Sequence, residues 1–121
     1  MKDMAPLVSA VLLMIYSNVV MKMRAVANSG PHHVTGVVDY LLAMLRDPLV
    51  WTAGAATAGA MVLWLISIRR VDLSVAHPMI ASIFVAVPLA AVYFLNEPMP
   101  PLRGLGLALI AFGILLVAKT A

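Results

Sequence analysis

Asn18 and Lys22 stand four residues apart in the stretch Met14-Ile15-Tyr16-Ser17-Asn18-Val19-Val20-Met21-Lys22-Met23-Arg24. At helical spacing the amide and the ammonium share one face, with Met14 another turn back on the same face. An ammonium is a point-charge partner for phosphate, and an amide adds directional hydrogen bonds, so this face suits an anionic, amphipathic ligand. Lys22 has a second reading as an interfacial anchor at a helix end, and so does Arg24, which either completes a phosphate clamp or snorkels to the membrane surface. Tyr16, Ser17 and Asn18 are consecutive and cannot all project one way. The stretch contains no acid, and no Asp or Glu lies inside any of the long apolar segments of the chain, so nothing there could neutralise a cation or exchange it for protons.

Three further positions could do chemistry. His77 precedes the helix-breaking Pro78, where freed backbone can line a cavity; it is either a ligand or a hydrogen-bonded structural group. Glu97, just before Pro98, either binds a cationic headgroup such as an amino sugar or pairs with Arg103. His32 and His33 are adjacent but lack a carboxylate or thiolate at ligand spacing, so no metal is expected. With zero cysteines, a disulfide framework and a thiolate metal site are both impossible. Neither a Gly-rich phosphate loop nor a nucleophile-base arrangement is present, so enzyme chemistry and a cofactor are not expected.

The elements that must position these residues follow from composition. Of 121 residues, 64% are hydrophobic and 11% charged, and the mean hydropathy is +1.04. No charge interrupts residues 4–21, 48–68, 73–96 or 104–118, and each run is close to or beyond the length that crosses about 30 Å of hydrocarbon. The expectation is an all-α integral membrane protein, one domain over residues 1–121, with membrane helices at about 5–23, 49–68, 73–95 and 103–118. Arg103 and Lys119 bracket the last and extend its reach. A cleaved signal peptide is the alternative for the first segment, with Ala25-Val26-Ala27 as the cleavage site, but Lys22 and Arg24 fall where such peptides are uncharged.

Between the first two segments, Val34, Val37, Val38, Leu41, Leu42 and Leu45 recur at spacings of three and four, predicting an amphipathic helix at about 34–46 lying in the interface or extending the second segment up to Pro48. The small-residue run from Ala53 to Ala60 predicts close packing of the second segment, and Pro78 and Pro88 predict kinks in the third. Lys2, Arg69, Arg70 and Lys119 on one side balance Lys22, Arg24, Arg46 and Arg103 on the other, so the cations give no orientation, as in a dual-topology dimer. The net charge of +3 fits anionic lipid headgroups, not nucleic acid.

The run Gly106-Leu107-Ala108-Leu109-Ile110-Ala111-Phe112-Gly113-Ile114 resembles the glycine-spaced dimerisation segment of the small multidrug resistance family, within the drug/metabolite transporter (EamA-like) superfamily. Val71-Asp72-Leu73-Ser74-Val75-Ala76-His77-Pro78, Leu95-Asn96-Glu97-Pro98 and Met21-Lys22 are similar to superfamily motifs. The likeness covers the chain except residues 25–47, where the loop is longer. Within the superfamily the chain most resembles the aminoarabinose-lipid flippase subunits, whose second helix ends in a run like Met61-Val62-Leu63-Trp64-Leu65 and whose first carries an amide and a lysine at the places of Asn18 and Lys22. The drug exporters' essential first-helix glutamate falls at Met14, so cationic drug export by that mechanism is not expected.

The resemblance implies a flippase subunit in the bacterial inner membrane that moves a polyprenyl-phosphate sugar lipid, such as undecaprenyl-phosphate aminoarabinose. The implied substrate contacts are Tyr16, Asn18, Lys22, Arg24, His77 and Glu97. The implied dimer seam, with itself or a homologous four-helix subunit, is Gly106, Ile110 and Gly113. Two alternatives stay open: a small-solute exporter with His77 as its proton-coupling group, and a non-transporting accessory subunit of a glycosyltransferase.

Overall fold

The computed structural model describes residues 4–29 and 36–120. Six helices follow in order: α1 Ala5–Ala27, α2 Val37–Arg46, α3 Pro48–Ser67, α4 Leu73–Ile80, α5 Ile83–Leu95 and α6 Pro101–Lys119. The four spans long and apolar enough to cross a membrane are α1, α3, the α4–α5 pair and α6. At 23 residues α1 is about 35 Å long, since a helix rises 1.5 Å per residue. It continues past residue 23 because Met23 to Ala27 holds no helix breaker, so Lys22 and Arg24 sit on helical backbone and have fixed directions.

The chain's tightest packing is α1 against α3. Ala53, Ala60 and Ser67, seven apart, are the buried residues of α3; Leu7, Ala10 and Ser17 are those of α1. A seven-residue repeat of small side chains makes a straight seam along which two backbones approach closely in lipid. A Cβ placed on Gly59 would stand 3.4 Å from Leu13 Cδ1. Ser17 Oγ and Thr57 Oγ1 lie 2.6 Å apart and tie the seam in its middle. Only that stripe of the small-residue run is covered: Trp51, Met61 and Val62 of the same helix are exposed, so α3 faces its surroundings along its other sides.

The third span breaks at Ala81 and Ser82, between its prolines and at neither of them. There the bonds tighten to a three-residue step, Ser82 N donating to Met79 O at 3.2 Å and Val85 N to Ser82 O at 3.1 Å. Pro88 cannot donate to the Phe84 carbonyl one turn back and its ring pushes on that carbonyl, which places the disturbance N-terminal to the proline.

Asn96 ends α5 with φ 53 and ψ 35, and no other non-glycine residue among those described has positive φ. Its short amide side chain tolerates the left-handed region that a branched residue resists. The turn reverses the chain so that Glu97 faces back toward α1, and Pro101 then starts α6. Asn96→Gly is expected to leave stability and the Lys22–Glu97 approach intact. Asn96→Val should cost about 1–2 kcal/mol of steric strain and is checked by denaturant unfolding in detergent.

The segment after α1 carries its own cap. Gly36 is extended and precedes α2; Val34 of the expected helix, together with His32, His33 and Lys2, lies outside the described residues. Asp47 caps α3, its Oδ1 accepting from Leu49 N at 3.0 Å, with Pro48 in the first helical turn. Trp51 Nε1 donates to Leu45 O at 2.7 Å, which ties the end of α2 to the start of α3.

Candidate functional site

Where α1 passes α5 and the start of α6, a pocket of about 440 Å³ opens, lined by Asn18, Val19 and Lys22 from α1, Val87, Pro88, Ala91 and Leu95 from α5, and Glu97 and Arg103 beyond it. The apolar wall comes from α5, the charges from the helix ends. Lys22 Nζ stands 3.7 Å from Glu97 Oε1, with the two side chains 56% and 39% exposed. This is a long ion pair between partly exposed side chains, and exposed pairs add little to stability. Of the two readings open to Glu97, the pairing with Arg103 is not formed: Arg103 Nη1 donates to Pro98 O at 3.2 Å and Lys22 is the cation beside the carboxylate. The left-handed turn at Asn96 is the physical reason, since it aims the carboxylate at α1. Asn18 Nδ2 donates to Met14 O at 2.7 Å, one turn back on its own helix, leaving its oxygen and second hydrogen for the pocket.

Of the residues singled out from the sequence, Asn18, Lys22 and Glu97 come together here; Tyr16, Arg24 and His77 are placed elsewhere. The Tyr16 hydroxyl is 3.1 Å from Thr52 Oγ1, on the α3 side of α1. Arg24, two residues and 200° past Lys22 on the helix, pairs with Asp47. His77 stands edge-on to Trp64 with ring centroids 5.0 Å apart. Arg103 joins the site as a second cation, which its place two residues after Pro101 did not reveal.

Arg24 belongs to a separate polar pocket of about 600 Å³, lined also by Asn28, Asp39, Leu42, Ala43, Arg46, Asp47 and Pro48. Asp47 is only 6% exposed. It accepts from Arg24 and, at 3.1 Å, from Asn28 Nδ2. The signal in the sequence was Asp47-Pro48, a cap followed by a first-turn proline.

Burial acts to raise the Asp47 pKa, but the hydrogen bonds from Arg24, Asn28 and the Leu49 amide, with the charge of Arg24, outweigh it and hold the carboxyl below its ordinary 3.8. A carboxyl depressed by folding contributes stability that is in full force above 3.8 and lost as pH falls through the lower folded value. Thermal stability in detergent should therefore drop below about pH 3.8, and Asp47→Asn should flatten that acid limb. Melting curves at stepped pH check it.

On α6, a Cβ at Gly106 or Gly113 would meet nothing within 4 Å, and Ile110 is 41% exposed. The glycines of this helix are not used to admit a neighbour from the same chain.

The EamA-like transporter family matches residues 7–119. Among curated proteins the chain is similar to several called "Probable 4-amino-4-deoxy-L-arabinose-phosphoundecaprenol flippase subunit ArnE". The one from Pseudomonas savastanoi pv. phaseolicola is 35% identical over 81 residues, 67% of this chain and 71% of that protein. Its Pseudomonas aeruginosa counterpart is 37% identical over 83 residues, 69% and 72% of the two chains. That of Salmonella paratyphi B is 42% identical over 78 residues, 63% and 70%. No solved structure matches.

Proposed function

The chain belongs to the EamA-like transporter family, and from that premise we propose that it is a subunit of a flippase for a polyprenyl-phosphate sugar lipid, with the pocket between α1 and α5 as its headgroup site. It is a multi-pass membrane transporter of the bacterial inner membrane. The printed names of its relatives supply the substrate class, a sugar joined through phosphate to undecaprenol.

The observation that carries the reading is the pocket itself: Lys22, Arg103, Glu97 and Asn18 gather at one end of an otherwise apolar wall. Its volume, about 440 Å³, lies in the range of small-ligand sites. Lys22 and Arg103 would hold the phosphate, Asn18 a sugar hydroxyl, and the polyprenyl tail would stay in lipid. The break at Ala81 and Ser82 supplies a hinge by which α5 can move relative to α4 as the headgroup crosses.

One copy offers few walls for shielding a phosphate, so the working unit is a dimer, with itself or a homologous four-helix subunit, seamed along Gly106, Ile110 and Gly113. The α2 helix lies in the interface: Val37, Val38, Leu41, Leu42 and Leu45 are all exposed, and both its neighbours in the chain are membrane spans.

Reconstitution tests the reading. In proteoliposomes containing a fluorescent polyprenyl-phosphate sugar, the protein, alone or with its homologous partner, should make the inner-leaflet lipid accessible to an external quencher. Protein that is folded and dimeric but neither binds nor moves that lipid would overturn it.

A further inference from the structure

The polar pocket of about 600 Å³ beside Arg24, where the end of α1, one face of α2 and the start of α3 meet, has no part in headgroup transport as read above. The geometry points to a second phosphate site in it, one that holds the headgroup of a bilayer phospholipid on Arg24 and Arg46, apart from the transported lipid.

The two arginines offer unused donors at one end of the cavity. Asp47, only 6% exposed, accepts from Arg24 Nε and from Asn28 Nδ2, so a buried carboxylate fixes one edge of the Arg24 fork. Among the described residues the Arg24 side chain makes no other hydrogen bond, which leaves the N–H groups of its two terminal nitrogens available. Arg46, next in sequence to Asp47, lines the same pocket and has no ion pair among the described residues. A guanidinium fork matches the oxygens of a phosphate bidentately, and here two forks share one cavity.

Charge decides which phosphate fits. Asp47 balances Arg24, so Arg46 is the cation left for a ligand. Asp39, also in the lining, stands seven residues from Arg46, about 10 Å along α2, and so marks the far end of the cavity. A second negative charge would meet Asp39. A phosphodiester with one negative charge and hydroxyls beyond it, as in phosphatidylglycerol, avoids that repulsion.

Depth supplies the ligand, and this step rests on the interfacial placement of α2 proposed above. Asp39, Leu42, Ala43 and Arg46 recur at three, four and seven and share the face of α2 that lines the pocket. Val37 and Leu41 are exposed on the opposite side. With those apolar residues set into the acyl boundary, the pocket face stands at the level of the headgroup phosphates. Trp51, exposed and bonded through Nε1 to Leu45 O, fits the same depth, since tryptophans gather at the membrane–water interface. Lys22 opens on its own pocket near the same end of α1, but it and Arg24 project 200° apart, so the helix separates the two sites.

The test titrates the full-length protein, delipidated in detergent, with phosphatidylglycerol under native mass spectrometry. Wild type should take up one phosphatidylglycerol per chain ahead of a diacylglycerol with the same acyl chains. Arg46→Gln should weaken that uptake about tenfold, and Lys22→Ala, at the other pocket, should leave it unchanged. Arg24→Lys keeps a cation beside Asp47 but gives up the fork, so it should also weaken uptake while its melting temperature stays near that of wild type. Equal uptake of diacylglycerol, or uptake unchanged in folded Arg46→Gln, overturns the inference. So does uptake lost in Lys22→Ala, which would assign the phospholipid to the other pocket. Inorganic phosphate at millimolar concentration should not displace the lipid; displacement would make this a site for free phosphate and overturn the lipid assignment. The headgroup reading is judged separately, by binding of the polyprenyl-phosphate sugar, which Arg46→Gln should retain.

Discussion

Replacing Lys22 with alanine is expected to weaken binding of a polyprenyl-phosphate sugar about 10- to 100-fold, since hydrogen bonds to charged groups contribute about 1.5–3 kcal/mol, and to stop its translocation while the helices remain folded. The ammonium is the one charge that α1 contributes to the pocket lining, and its one ion-pair partner among the described residues, Glu97, is itself partly exposed. Losing the pair alone costs the fold little. Losing the cation leaves Arg103 as the sole positive group lining the pocket, opposite an uncompensated Glu97 that now repels the phosphate. Lys22→Arg keeps the charge and offers a planar fork in place of a point charge, so it should recover most of the affinity and some of the transport. The measurement is lipid affinity by native mass spectrometry beside initial rates in proteoliposomes. Full transport by Lys22→Ala would make Lys22 an interfacial anchor and move the headgroup elsewhere.

The second large effect belongs to the seam. Ala60→Leu, or Ala53→Leu, should destabilise the protein by about 1–3 kcal/mol or more, the cost of forcing extra methylenes into a packed interface. Both alanines are essentially without exposure, at 2% and 0%. A Cβ on the neighbouring Gly59 would already be in van der Waals contact with Leu13 Cδ1, at 3.4 Å, so α1 lies close on this side. Hydrophobicity does not offset the clash, because lipid is as apolar as leucine and helix association in a bilayer rests on packing. Met61→Leu, one residue on and 57% exposed, should be silent. Unfolding in mixed micelles of increasing denaturing detergent separates the two. Transport should fail in Ala60→Leu as well, since the seam sets the azimuth at which α1 presents Asn18 and Lys22 to α5.

Much of the site was readable within single helices. Asn18 and Lys22 share a face because 3.6 residues make a turn, and that rule needs no partner. The amphipathic period of residues 37–45 is legible in the same way, and α2 is helical there. What failed were statements joining different elements. Arg103 was one of two partners open to Glu97, on proximity in sequence, and the left-handed residue between α5 and α6 turns Glu97 to Lys22 instead. Arg24 was grouped with Lys22 by the same closeness; its helical position turns it toward Asp47. Tyr16 reaches Thr52 for the same reason, on the side of α1 that α3 covers.

The sequence by itself determined that the chain crosses the membrane four times, because bilayer thickness and the cost of burying charge fix the length and purity of each run regardless of what packs beside it. It also determined that the first span lacks an acid and carries an amide and a lysine, so no carboxylate in that span can neutralise a cation. Only the tertiary structure decided which charges meet. That depends on the azimuth of each helix, set by small side chains that recur every seven residues along α3 where it meets α1, and on one left-handed turn at Asn96. Neither changes the hydropathy of the chain, and both act through the angle at which one backbone approaches another.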